Sequence, residues 1–92
     1  EMTYTVKLYF AELESKNPGD RVFNVYIQDS RVLENFDICA EAGKKDKEVV
    51  KTFTGVRAGN EIKINMIPVK GNTILSGIEL IGEPSKFTWN DK

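Results

Sequence analysis

The chain has 92 residues, of which 13 are basic and 14 acidic, giving a formal charge of −1, and 40% of it is apolar. This length holds one small core and excludes a second domain, and the near-neutral charge gives no long-range pull toward phosphate backbones or anionic lipid. With no histidine and with Cys39 as the only cysteine, an internal disulfide and the usual zinc sites are excluded, and no cofactor is expected.

Residues 3–12 alternate, with Tyr4, Val6, Leu8 and Phe10 on one face and Thr3, Thr5 and Lys7 on the other, the period of a half-buried strand. The entry into this pattern at Glu1-Met2-Thr3-Tyr4, with no basic-then-apolar leader, reads as a fragment cut from a longer protein. Residues 14–20 contain Lys16-Asn17-Pro18-Gly19-Asp20, which suits a turn and resists helix and ladder alike. Alternation resumes over 21–28 through Phe23, Val25 and Ile27, and the polar step Asp29-Ser30 before Arg31-Val32-Leu33 predicts a hairpin. Phe36 and Ile38 extend the apolar set as a short strand or bend, and 36–43 can hold one helical turn. A polar loop around Gly43 follows.

Residues 48–54 and 61–67 are rich in β-branched side chains and predict two strands joined through 55–60. Pro68 to Asn72 reads as a turn, and Ile74, Ser76, Ile78 and Leu80 form a last alternating run. The tail from Pro84 adds Phe87 and Trp89, which suit a sheet edge. Six to seven short strands without a long amphipathic helix predict an all-β antiparallel sandwich occupying residues 1–92 as a single domain. Its core is expected to contain Leu8, Phe10, Phe23, Val25, Ile27, Phe53, Ile64 and Ile78.

Few residues invite chemistry. Glu12 and Glu14 share a strand face, but catalytic carboxylate pairs flank a cleft from separate elements, and such neighbours more often bond a nearby loop. Lys44, Lys45 and Lys47 form a basic cluster without interleaved aromatics, so they read as a solvated loop and nucleic acid is not an expected partner. No apolar run spans a bilayer, and no membrane partner is expected. Cys39 lacks an activating neighbour in sequence and is expected to be a shielded apolar side chain. Tyr9, Tyr26 and Trp89 are candidate sugar platforms, because flat aromatic faces stack on the C–H surfaces of sugars. Tyr9 and Tyr26 face outward on their strands, where cross-strand packing is the commoner use.

Leu8-Tyr9-Phe10-Ala11-Glu12, followed by Arg21-Val22-Phe23-Asn24-Val25, resembles the malectin and malectin-like domain family, whose blocks read L-x-F-A-E and R-V-F-D-V. The likeness continues through Phe36-Asp37-Ile38 and Gly43 to Asn72-Thr73-Ile74-Leu75-Ser76-Gly77-Ile78-Glu79. It implies a jelly-roll-like β-sandwich and a non-catalytic, carbohydrate-binding accessory module of a secreted or periplasmic glycoside hydrolase, such as a bacterial β-galactosidase. Carbohydrate and the other domains of the parent chain would be its partners, in the periplasm or outside the cell.

The family holds sugar in the loops that end the first strand and precede the last. Its loop aromatics and acidic contact do not carry over, since the corresponding positions here read Glu14-Ser15 and Val69-Lys70-Gly71-Asn72. Asn24 also stands where the family usually has Asp. The resemblance leaves Glu14, Asn17 and Asn72 as hydroxyl partners. The alternative is a structural or protein-interaction module with no sugar binding of its own.

Overall fold

The computed structural model describes residues 2–14, 17–43 and 48–83. Its elements are β1 (Met2–Ala11), β2 (Val22–Ile27), β3 (Ser30–Phe36), α1 (Ile38–Ala42), β4 (Glu48–Ala58), β5 (Ile64–Lys70) and β6 (Gly77–Gly82). The strands form two three-stranded sheets, ordered β4-β1-β6 and β3-β2-β5, and every pairing is antiparallel. The two sheets face each other as a sandwich, the predicted class. Phe87, Trp89, Ser15 and the lysines at 44, 45 and 47 lie outside the described residues.

Each sheet has a central strand whose alternate side chains are fully covered. Val6, Leu8 and Phe10 of β1 meet Phe23, Val25 and Ile27 of β2, with Phe36 and Ile38 completing the cluster. Phe10, Phe23 and Phe36 form a three-ring contact with centroids 4.7 to 5.9 Å apart, in tilted and edge-on arrangements that suit ring quadrupoles. Phe53 and Ile64 pack against this cluster while only partly buried.

Ile78 departs from expectation. It sits directly opposite Leu8 and so shares the core-facing side, yet it is 49% exposed. Alternation identifies a face, but only a covering layer buries it, and β6 pairs among the described residues with β1 alone.

The local chemistry accounts for the turns. Gln28 and Asp29 both have positive φ, 51° and 73°, so the β2–β3 hairpin closes through the mirror-image turn whose twist matches the strands. Gln28 also braces the loop before β5, donating to the carbonyls of Arg57 and Glu61 and accepting from the Lys63 amide. Asp37 caps α1 by accepting from the Ala40 amide, and Gly43 ends it in the left-handed conformation. The single helical turn expected over 36–43 is therefore this five-residue helix.

Several strand limits differ from the pattern, with β5 beginning at Ile64 instead of 61 and β6 at Gly77 instead of 74. β4 runs on to Ala58, because Gly55 at φ 70° absorbs an extra residue where the register with β1 shifts near Tyr4. β5 extends through Pro68, which the sequence suggests as a turn. Its missing N–H is tolerated because β5 is an edge strand.

Candidate functional site

The end of the sandwich where β1 finishes and β2 begins is organised by a buried ion pair. Arg21 and Glu12 are 4% and 1% exposed. Arg21 Nε donates to Glu12 Oε1 at 2.7 Å and Nη2 donates to Glu12 Oε2 at 3.1 Å, a bidentate fork. The remaining guanidinium donors reach outward, Nη2 to Glu14 Oε1 at 3.3 Å and Nη1 to the Asn72 carbonyl at 2.9 Å. Burying two charges is costly unless their hydrogen bonds are made, and here no buried polar side-chain atom among the described residues lacks a partner. The hydrogen bond to Glu12, reinforced by the charges of Glu12 and Glu14, raises the Arg21 pKa still further above its ordinary value, against the opposing effect of burial.

This arrangement joins two loops distant in sequence. Asn17 opens a turn in which the Asp20 amide donates to the Asn17 carbonyl at 3.0 Å and the Asn17 amide donates to Asp20 Oδ2 at 3.1 Å. Pro18 and Gly19, with φ 93° at the glycine, suit its two central positions. The Gly19 amide donates to Asp37 Oδ2, so the turn is also fastened to the start of α1.

On the other side Gly71 has φ 74°, and a Cβ there would stand 2.7 Å from the Asp20 carbonyl oxygen. The two loops thus touch backbone to backbone, which only glycine permits. Glu14 and Asn72 are brought together around Arg21, and Asn17 belongs to the turn that abuts Gly71. All three are exposed.

Glu12 and Glu14 converge on one arginine instead of facing each other across a cleft, so an acid/base pair is not what the strand end builds. The arrangement can offer hydroxyl groups the outer edge of Glu14 and the amide of Asn72. Leu13 and Val69, 72% and 55% exposed, are the apolar surfaces at this end.

Tyr9 serves a different purpose. It pairs with Gly77 across the β1–β6 ladder, and its hydroxyl donates to Glu79 Oε1 at 2.8 Å. That hydrogen bond raises the phenol pKa above its ordinary value, with smaller contributions from burial and from nearby carboxylates. Tyr26 is likewise a cross-strand residue, between Arg31 and Asn65. The pairing of Arg21 with Glu12 does not follow from spacing, which places Glu12 beside Glu14 on a strand face and Arg21 only at the start of the next strand. The signal available was a carboxylate ending one apolar strand and a guanidinium opening the next.

The profile of the family described as Malectin domain matches residues 1–85. A probable receptor-like protein kinase of Arabidopsis thaliana is 31% identical over 84 residues, covering 84% of this chain and 10% of the relative. Two probable leucine-rich-repeat receptor-like serine/threonine-protein kinases of the same plant are 31% and 34% identical over 83 residues, each covering 74% of this chain and 8% of the relative. The chain therefore spans about a tenth or less of the curated relatives it matches. These relatives are named as receptor-like kinases, and the bacterial glycoside-hydrolase setting implied by the sequence resemblance finds no support in them. No solved structure matches the chain.

Proposed function

The chain belongs to the malectin domain family, and on that premise we propose that it is a non-catalytic carbohydrate-binding module from the extracellular part of a receptor-like kinase. A saccharide would meet it at the end organised by Arg21, through Glu14, Asn17 and Asn72. The observation that carries the reading is the convergence of the Glu14 and Asn72 loops on one buried guanidinium, which fixes two exposed polar edges with little freedom to lose on binding. The likeness to receptor-like kinases of a plant favours the receptor setting over a hydrolase.

The described residues of these loops, 12–14, 17–20 and 69–73, contain no aromatic side chain. Affinity rests on a few exposed hydrogen bonds, each worth about 0.5–1.5 kcal/mol net, which corresponds to binding on the order of millimolar. The test is an amide-shift titration with methyl glucoside and methyl galactoside, repeated with Asn72→Ala. Because Arg21 uses the Asn72 carbonyl, the substitution removes the side-chain amide and leaves the loop fastened. Shifts in residues 12–20 and 70–73, weakened in the variant, support the reading. A folded protein that shows no shifts anywhere at high sugar concentration leaves a structural or interaction module as the account.

A further inference from the structure

On the side of the sandwich where β3 and β4 lie, a recess of about 320 Å³ is bounded by β3, α1 and β4. Leu33, Phe36 and Ala40 supply its apolar surface, and Glu34, Asn35, Glu41 and Lys51 its polar one. It is separate in sequence from the Glu14 and Asn72 loops, although Asp37 ties it to the same framework through Gly19.

The charges are balanced before any ligand enters. Lys51 Nζ lies 2.9 Å from Glu41 Oε2 and 5.8 Å from the centroid of the Phe36 ring, so its charge is already satisfied by a carboxylate and an aromatic face. Asp37 spends one oxygen on the Ala40 amide and the other on the Gly19 amide. Glu34 is 3.7 Å from Arg31. A cation or an anion would therefore have to displace an existing partner, whereas an uncharged ligand would not.

Hydrogen-bonding capacity remains. Among the described residues the Asn35 side-chain amide has no partner, and Glu34 and Glu41 are 59% and 47% exposed. Lys51 has further N–H groups to donate. Donors and acceptors are therefore both present beside the apolar side chains, in a space near the lower end of the range for small-molecule sites.

Asn35 holds φ 52°, outside the region most side chains adopt. Its backbone N–H donates to Asn24 Oδ1 at 2.7 Å, which fixes the residue at the rim of the recess. Asn24 is the residue that departs from the Asp of the motif. As an amide it receives this bond without adding a carboxylate beside Glu34.

We propose that this recess is a second saccharide subsite, sized for one neutral pyranose, with Asn35, Glu34, Glu41 and Lys51 bonding its hydroxyls and Leu33, Phe36 and Ala40 meeting its C–H surface. The inference rests on the carbohydrate reading above but concerns a different surface.

The test follows amide shifts of Asn35, Ala40 and Lys51 during titration with methyl glucoside and methyl galactoside. It uses the intact chain, Asn72→Ala and Asn35→Gly. Asn35→Gly removes the amide while keeping the backbone N–H bond to Asn24, and glycine adopts positive φ freely. Glu34→Gln provides a second probe that leaves the backbone untouched. The expected result is a set of shifts at the recess that persists in Asn72→Ala and weakens about tenfold in Asn35→Gly, a loss of one or two hydrogen bonds. Shifts confined to residues 12–20 and 70–73 overturn the subsite and leave the proposed function standing. Shifts at neither place, with all proteins folded, overturn both.

Discussion

The rings of Phe10 and Phe36 lie 4.7 Å apart, centroid to centroid, and they belong to opposite sheets, so this contact is part of what holds the sandwich closed. Phe23 completes the group, 5.9 Å from Phe10 and edge-on to Phe36 at 5.7 Å. Phe10 and Phe23 have no solvent exposure. Truncating either to Ala removes ring contacts on two sides and leaves a cavity, at a cost of about 3–5 kcal/mol. Urea unfolding of Phe23→Ala is expected to show this loss, and an unchanged midpoint would place the ring outside the core.

Separating Glu12 from Arg21 is predicted to be as damaging. Arg21→Ala leaves Glu12 buried without its bidentate partner, and a loss of about 3–5 kcal/mol is expected. The pair Glu12→Leu with Arg21→Met should recover much of that loss, because it removes both desolvation penalties together. It should also loosen the Asn72 loop, whose carbonyl bond goes with the guanidinium. A double-mutant cycle with denaturant melts, combined with hydrogen exchange in residues 70–73, separates the two effects.

Tyr9 carries an alkaline prediction. Its pKa is raised by the hydrogen bond to Glu79, so the bond's contribution is complete below the unfolded phenol value of about 10 and is lost as pH rises through the higher folded value. Phenolate absorbance in Tyr9→Phe should lack a component that titrates above the ordinary range. In Glu79→Gln that component should move down toward 10.

Cys39 is 6% exposed in α1, which predicts slow modification by a thiol reagent in the native protein and rapid modification in denaturant. A native rate equal to the denatured one would contradict the burial.

The β2–β3 hairpin predicts a stabilising change. Asp29 stands at φ 73° in a turn position that glycine fills without steric cost. Asp29→Gly should raise stability by up to about 1 kcal/mol, measured by thermal unfolding, since the relief of left-handed strain exceeds the added entropy of the unfolded chain. Gln28 is the wrong target, because its side chain braces the Arg57 and Glu61 carbonyls.

Strand periodicity made the centre of the fold legible. Leu8, Phe10, Phe23, Val25 and Ile27 all lie where alternation places them, because β1 and β2 are flanked on both sides and covered on one face. The same alternation located the face of Ile78 but not its exposure, which depends on a neighbour that alternation does not describe. The pattern ends the fifth strand at Ile67, three residues short of Lys70, because Pro68 resembles a turn until its strand is known to be an edge. The site was half legible for a similar reason. The loops holding Glu14, Asn17 and Asn72 follow from strand ends and from the resemblance, whereas the recess beside Asn35 forms only when β3, α1 and β4 assemble in space.

Five of the exposed large apolar residues, Ile67, Val69, Ile78, Leu80 and Ile81, fall on β5 and β6. Edge strands of natural proteins commonly carry charge or proline against sideways association, and β6 has Glu79 but neither lysine nor proline. In preparative terms these two exposed apolar edges, one on each sheet, set the colloidal behaviour of the chain. Salting-out agents should precipitate it early, at concentrations that leave its fold intact. A lysine at Ile81, which pairs with Thr5 on the outward face of β6 and is 41% exposed, would raise that threshold at small cost to folding, which makes this position the natural choice for a soluble variant suited to millimolar titrations.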